Sequence, residues 1–324
     1  MPKKPLYGIH PSEYEHPLDR EALNALQKVS GLDTILSKAF NSTIWTAQRV
    51  EFLGTKCKIS NKNFNRVYEL WIEACDILDF AEPPEIYTSW DYFINASAMG
   101  VEKPMVNLTS GSIDLLDDDQ LLFIMGHELG HIKSGHMLYY NLSRYLLPLL
   151  QSSIPIPNIP IVGTVAVESL KYPLYHWSRM QELTCDRAGL LCCQRKESAM
   201  LALISLSGVP LKYIGKGEDI IESFIEQSKQ FLTDELEPSE KLLKGFTQAY
   251  SFDQSIQYNQ LIPRSHPFPL LRVAKLNQWI ESGDYQQIIE SDRSNIQNYF
   301  CKKCNNKINI EDAFCGNCGA RIDS

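Results

Sequence analysis

The stretch DDDQLLFIMGHELGH, residues 117–131, decides the fold because it has the composition of a buried helix. Its leading aspartates stand where a helix dipole favours negative charge, and the apolar run that follows carries the helix into the interior. His127 and His131 are four residues apart, so both imidazoles project from one helix face and can reach one ion. Since neutral imidazole is a good zinc ligand, the stretch predicts a zinc site on a buried helix.

Glu128 directly follows the first of these histidines and is the candidate general base. Three protein ligands leave the fourth position of a zinc ion to a water, whose pKa then falls to about 7. A carboxylate beside the first ligand can reach that water, and Gly130 leaves room beside the metal. The alternative is an ordinary helix whose two histidines have hydrogen-bond partners and no metal.

The third ligand is not a histidine at the spacing of the longer motif HExxHxxGxxH. That motif needs glycine at 134 and histidine at 137, where this chain has Ser134 and Met137. His136 follows His131 by five residues, which turns it away from the metal face of the helix. We therefore expect His136 to lie at the surface or behind the ligands.

Two acidic residues in the downstream segment QELTCDRAG, residues 181–189, can complete the site. Glu182 and Asp186 are four apart and share one face of a second helix. Glu182 can be the third zinc ligand, and Asp186 can accept a hydrogen bond from the free ring nitrogen of a ligating histidine. Such pairs also occur on solvated helix faces. Apolar neighbours favour the metal site here, because a buried carboxylate without a partner is costly.

Four segments carry a resemblance to a known family: HELGH at 127–131, ELTCD at 182–186, INASA at 94–98 and PMVNLTSG at 104–111. With them the sequence resembles the HtpX-like and CAAX prenyl protease family of zinc metallopeptidases, from about residue 66 to 277. The resemblance implies a gluzincin-type site that hydrolyses peptide bonds. Helical patterns and short β-like pieces predict an α+β fold, a mainly helical zincin-like domain with a small sheet beside the active-site helix.

The same resemblance implies two further site residues near the end of the domain. Ser265-His266-Pro267 followed by Arg272 matches the late His-Pro and arginine element of the family. The resemblance implies that His266 and Arg272 lie over the active site and act on the substrate or its oxyanion. From the residues alone, a His-Pro pair before a helix indicates a turn, and a lone arginine indicates a surface charge.

The expected reaction is hydrolysis of internal peptide bonds by a zinc-activated water, with Glu128 taking a proton from the water and returning it to the leaving amine. We expect one strand to bind the substrate as an edge strand that pairs with an extended backbone. Its residues are Met105, Val106, Asn107, Leu108 and Thr109. Backbone pairing predicts a protein or peptide substrate that is unfolded or extended.

Residues 145–167 carry no charge and are long enough to raise the question of a membrane span. Prolines at 148, 155, 157 and 160 disfavour a continuous helix. Many family members have two transmembrane helices in this region, so the chain departs from that pattern. The first twenty residues have no apolar run typical of a signal peptide. We predict a cytoplasmic protein in which residues 145–167 form a buried loop, a re-entrant element or a cap that contacts a membrane peripherally.

The C-terminal residues contain two CxxC pairs typical of a zinc ribbon. Four thiolates form a closed tetrahedral site, which predicts a second, structural zinc ion and a surface for a protein partner. A redox dithiol pair is the rival interpretation. The predicted division is an N-terminal helical segment at 1–60, a metallopeptidase domain at 61–282, a linker at 283–298 and the ribbon at 299–324. The four ribbon ligands are Cys301, Cys304, Cys315 and Cys318.

Charge and chemistry limit the class of function. A net charge of −8 disfavours binding to nucleic acid. Two alternatives to a soluble endopeptidase are a non-catalytic, zinc-stabilised scaffold that binds proteins and a membrane-associated quality-control protease. A scaffold needs metal ligands but no general base, so the presence of Glu128 favours the enzyme.

Overall fold

The computed structural model of the chain describes residues 3–28, 43–101, 103–141, 164–209, 219–236, 269–293, 299–300 and 307–308. His266 and the four ribbon cysteines lie outside these ranges, as does most of the apolar stretch 145–167. The role of His266, the ribbon zinc and the membrane contact therefore stay predictions. None of the helices in the described ranges is long and apolar enough to cross a membrane.

Helices make up most of the described chain. The α-helices are α1 (Pro17–Gln27), α2 (Thr43–Thr55), α3 (Asn65–Ile77), α4 (Ser110–Leu115), α5 (Asp118–Lys133), α6 (Met137–Asn141), α7 (Thr164–Cys193), α8 (Lys196–Leu206), α9 (Asp219–Gln230), α10 (Pro269–Glu281) and α11 (Asp284–Glu290). A 3₁₀ turn (Pro11–Glu13) and a π-helical segment (Phe231–Leu236) complete them. The strands are β1 (Cys57–Lys58), β2 (Glu85–Ser89), β3 (Ala96–Met99), β4 (Met105–Thr109), β5 (Tyr299–Phe300) and β6 (Lys307–Ile308).

The small sheet has the strand order β1-β2-β4-β3. β4 pairs in parallel with β2 on one side and antiparallel with β3 on the other. It is thus not the edge strand that the sequence predicts. All five β4 residues are buried, although Asn107 and Thr109 interrupt the apolar run that is usual for a strand covered on both faces. The strand at the end of the sheet, in contact with α5, is β3.

Helix α5 begins where the sequence predicts. The Asp117 carboxylate accepts a hydrogen bond from the Gln120 backbone N–H at 2.8 Å, and the Gln120 side chain accepts one from the Asp117 N–H at 3.2 Å. This capping box satisfies two N–H groups that have no partner within the helix. Every residue from Gln120 to His131 is buried. The prediction of a buried helix is confirmed.

Two glycines of α5 allow α7 to pack at close range. A Cβ at Gly126 would lie 2.3 Å from Cβ of Cys192, and one at Gly130 would lie 2.8 Å from Cβ of Ala188. Both distances are shorter than real carbon atoms tolerate. The close packing brings the HELGH and ELTCD segments face to face across the core.

The N-terminal segment shares the main core. Leu6, Ile9 and Tyr14 are buried in the same cluster as residues of α3, α5 and α7. Helix α1 packs along α7. The described part of this segment is therefore built onto the same body as the domain predicted at 61–282.

Helix α11 lies within the stretch that the sequence predicts as a linker. Tyr285 and Ile288 are buried on it, and the Lys4 ammonium donates to the carbonyl oxygens of Ile289 and Ser291, both at 2.8 Å. The linker is predicted because the stretch is polar on average, but it contains two apolar residues at helical spacing, and both are buried. Residues 284–290 thus pack onto the core instead of forming a linker.

Candidate metal centre

The two motif histidines and Glu182 converge in the core. His127 and His131 lie on one face of α5, and their ring centroids are 5.0 Å apart. Nε2 of His127 is 3.4 Å from Oε2 of Glu182 on α7, and Nε2 of His131 is 3.5 Å from Oε1. All three side chains are buried. The structure thus brings together the three residues predicted as ligands.

The spacing of these atoms fits zinc. Zn–N and Zn–O bonds are about 2.0 to 2.2 Å, so two ligand atoms at a tetrahedral angle lie about 3.4 Å apart. The nitrogen to oxygen distances of 3.4 and 3.5 Å have this value. Two imidazoles and a carboxylate are also a donor set that zinc prefers in catalytic sites.

Cys185 is a second candidate for the third ligand, and sequence reasoning missed it. Its Sγ and the ligand atoms of His127 and His131 all lie within 4.8 Å of one another. Burial raises the pKa of the Cys185 thiol well above its usual range, and the negative charge of Glu182 adds to this. The Glu182 oxygens lie 3.4 and 3.5 Å from the two histidine nitrogens, the spacing of zinc ligands, which supports Glu182 as the third ligand.

Asp186 fixes the orientation of His127. The Nδ1–H of His127 donates to Oδ1 of Asp186 at 3.0 Å, which leaves Nε2 facing Glu182. Burial lowers the pKa of His127, but the bonds to Asp186 and Glu182 outweigh it and raise that pKa to about 9. Nε2 therefore binds a proton when no metal is present, and a metal ion has to displace that proton.

Arg272 lies beside the predicted ligand Glu182 and is buried, so it is not the surface charge that the residue alone indicates. It lies on α10 with only 2% of its surface exposed, and it donates from Nε to Oδ2 of Asp186 at 2.8 Å and from Nη2 to Oδ1 at 2.5 Å. Its Nη1 is 3.5 Å from Oε2 of Glu182. Burial raises the pKa of Asp186, but the Arg272 charge and hydrogen bonds hold it below its usual value. Arg272 neutralises these buried carboxylates, and its role on the substrate or its oxyanion stays a prediction.

The remaining predicted residue, Glu128, is buried on α5 with 1% of its surface exposed. It directly follows His127 on the same buried helix, which places it next to the first predicted ligand in the sequence. His136 is also buried, with its ring centroid 5.6 Å from that of His131. It lies behind the ligands, as expected.

Glu182→Ala should abolish metal binding at the site of His127 and His131, whereas Cys185→Ala should leave it almost unchanged. Loss of a ligand should weaken binding by more than the 10- to 100-fold typical of residues behind the ligands. The measurement is the dissociation constant of Co²⁺, together with the absorption spectrum of the Co²⁺-loaded protein. A thiolate ligand gives an intense near-ultraviolet charge-transfer band. The four ribbon cysteines would give such a band of their own, so the comparison is the difference in intensity between the wild type and Cys185→Ala. If Cys185→Ala loses part of the band, Cys185 is a ligand and the assignment of Glu182 alone is wrong.

The chain is similar in sequence to known metallopeptidases. The sequence model described as Peptidase family M48 matches residues 61–280, more than half of the chain. A protein from Arabidopsis thaliana, the plastoglobule-localized metallopeptidase 48 of the chloroplast, is 25% identical over 280 residues. The match covers 86% of this chain and 75% of the relative. No solved structure matches the chain.

Proposed function

Because the chain belongs to peptidase family M48 and is therefore a metallopeptidase, we propose that it is a zinc-dependent endopeptidase acting on extended protein segments. The observation that carries the proposal is the convergence of His127, His131 and Glu182 at zinc-ligand spacing. Glu128 lies beside the first ligand, as a general base requires. A scaffold would need the ligands but not this carboxylate.

The residues divide the chemistry as follows. A zinc ion held by His127, His131 and Glu182 would polarise the scissile carbonyl and acidify the attacking water. Glu128 accepts the proton from that water and returns it to the leaving amine nitrogen. Asp186 keeps the proton of His127 on Nδ1, so that Nε2 presents a lone pair to the metal. Because all these groups are buried, the electrostatic attraction between the Glu128 carboxylate and the proton is stronger than it would be in water.

Digestion of an unfolded casein tests the proposal. We expect cleavage at internal peptide bonds, which mass spectrometry of the fragments would show. A chelator should stop cleavage and added zinc should restore it. Release of single terminal residues would make the protein an exopeptidase. Metal binding without any cleavage would favour the non-catalytic scaffold.

We further propose that the substrate backbone pairs with β3 instead of β4. The Thr109 N–H donates to the Asn95 carbonyl at 3.1 Å, which fixes the phase of the β3–β4 ladder. In an antiparallel ladder, hydrogen-bonded pairs alternate with pairs whose backbone groups point outward. Ala98, paired with Val106, therefore directs its N–H and C=O away from β4. Because β3 contacts α5, this edge lies beside the helix that carries the histidines.

Ala98→Pro should lower kcat/KM for a casein-derived peptide by about 2- to 10-fold, the effect of one lost backbone hydrogen bond. Proline is tolerated on edge strands where its nitrogen faces away from the ladder. The control is Ala98→Gly, which loosens the strand but keeps the N–H. Equal losses in the two variants, or an unchanged rate for Ala98→Pro, would argue against substrate pairing at this position.

A further inference from the structure

A second carboxylate lies behind the metal centre, and it comes from the N-terminal helix. Asp19 is in the first turn of α1 and is fully buried. Its Oδ2 accepts a hydrogen bond from the Thr184 hydroxyl at 2.5 Å and lies 3.2 Å from Nε2 of His136. Because a carboxylate only accepts, the proton of the second contact is on His136 Nε2.

One of its partners lies on α7 and the other just after the end of α5, and these are the two helices that carry the predicted metal ligands. Thr184 lies on α7, between Glu182 and Asp186. The Thr184 hydroxyl also accepts from the His16 backbone N–H at 3.1 Å, which adds a second link to the start of α1. His136 lies three residues after the end of α5, and its backbone N–H donates to the carbonyl of His131 at 3.0 Å. Asp19 thus joins the end of α5 to the ligand-bearing turn of α7.

The His136 ring is enclosed on several sides. It meets the His131 ring edge to face, with the planes at 71°, and its centroid is 5.7 Å from that of Trp177. With the proton on Nε2, Nδ1 is an acceptor and lies 3.6 Å from Sγ of Cys185. The contact of Asp19 with Nε2 therefore sets the tautomer and angle of a ring that packs against a metal-ligand candidate.

The carboxylate is ionised in this setting. Burial raises the pKa of Asp19, but His136 and the hydrogen bond from Thr184 outweigh it and lower that pKa. A buried charge is tolerated only where such donors surround it. Removing Asp19 would leave these donors without their acceptor, and the ring of His136 without its anchor.

We propose that Asp19 is a positioning residue of the metal centre, which holds His136 against His131 and fixes the ligand-bearing turn of α7. The proposal rests on the metal centre of the proposed function. Each histidine then has its own support. His127 is held by Asp186, which pairs with Arg272. His131 packs against His136, which is held by Asp19. The family model begins at residue 61, so this contribution comes from a segment outside the matched region.

Asp19→Ala in the full chain should weaken zinc binding about 10- to 100-fold, the usual effect of removing a group that supports a ligand. The measurement is competition for zinc with a chromophoric chelator. Asp19→Asn keeps an oxygen acceptor and should recover part of the loss. The matched control is Leu26→Ala, which removes a buried side chain of the same helix without touching the network. Equal weakening in Leu26→Ala would show that only the packing of α1 matters and would overturn the proposal.

A double-mutant cycle gives the second test. If Asp19 acts through His136, then Asp19→Ala combined with His136→Ala should weaken zinc binding no more than the larger single change. Additive losses would overturn the proposal, and so would wild-type affinity in Asp19→Ala. If Asp19→Ala does not fold, Thr184→Val removes one donor at nearly constant shape and should weaken binding several-fold. Since zinc affinity is measured without turnover, failure of the proposed peptidase activity would be seen separately.

Discussion

The Glu128→Gln variant should bind zinc as tightly as the wild type and cleave casein about 10²- to 10⁴-fold more slowly, the range that general acid–base catalysis contributes. The amide has the shape of the carboxylate but cannot take a proton from water. Because Glu128 is not among the proposed ligands, metal content and thermal stability should stay the same. The measurements are kcat on a casein-derived peptide and zinc content after dialysis.

The matched control is Glu51→Gln, an identical chemical change at an exposed position of α2. It should leave both rate and zinc content unchanged. If Glu128→Gln lost its zinc, Glu128 would be a ligand and not the base. Cleavage by Glu128→Gln at the wild-type rate would require another group to accept the proton.

Arg272→Met should lower the free energy of unfolding of the metal-free protein by about 3 to 5 kcal/mol, the cost of leaving a buried ion pair with one partner. Methionine fills much of the same space but leaves Asp186 and Glu182 without their cation. Zinc should restore part of the stability, since it would neutralise Glu182 and binds only the folded state. Urea denaturation with and without zinc measures both effects.

The control here is Lys275→Met, the same loss of charge three residues further along α10 and partly exposed. It should change the stability by less than about 0.5 kcal/mol. An Arg272→Met protein that is as stable as the wild type but slow in turnover would contradict the charge-neutralising role. Such a result would return Arg272 to the oxyanion role that the family resemblance implies.

The sequence predicts those parts of the site that depend on helical spacing. His127 and His131, and likewise Glu182 and Asp186, are four residues apart, and this interval alone places each pair on one helix face. The cap at Asp117 is also local, because its partner is three residues away. Such features follow from the geometry of a single turn.

Other features depend on contacts between distant segments, which spacing does not encode. The position of β4 between two strands depends on pairing with β2 and β3, and no pattern within Met105–Thr109 specifies it. Asp19 and Thr184 meet across 165 residues of sequence. In the sequence alone Arg272 indicates a surface charge, whereas in the structure it pairs with the buried carboxylates of α7. The need of each buried charge for a counter-charge was predictable, but the identity of the partner was not.

The packing of α5 on α7 determines how a complete mutational scan of this protein would look. At Gly126 and Gly130 even an alanine side chain would overlap Cys192 or Ala188. Both glycines should therefore tolerate as few substitutions as His127 or Glu128, although neither has a side chain that could react or bind a metal. A scan that scores only activity would therefore not distinguish the two glycines from the catalytic residues. The two groups separate when abundance is scored beside activity, because the glycine variants lose folded protein and Glu128 variants lose only turnover.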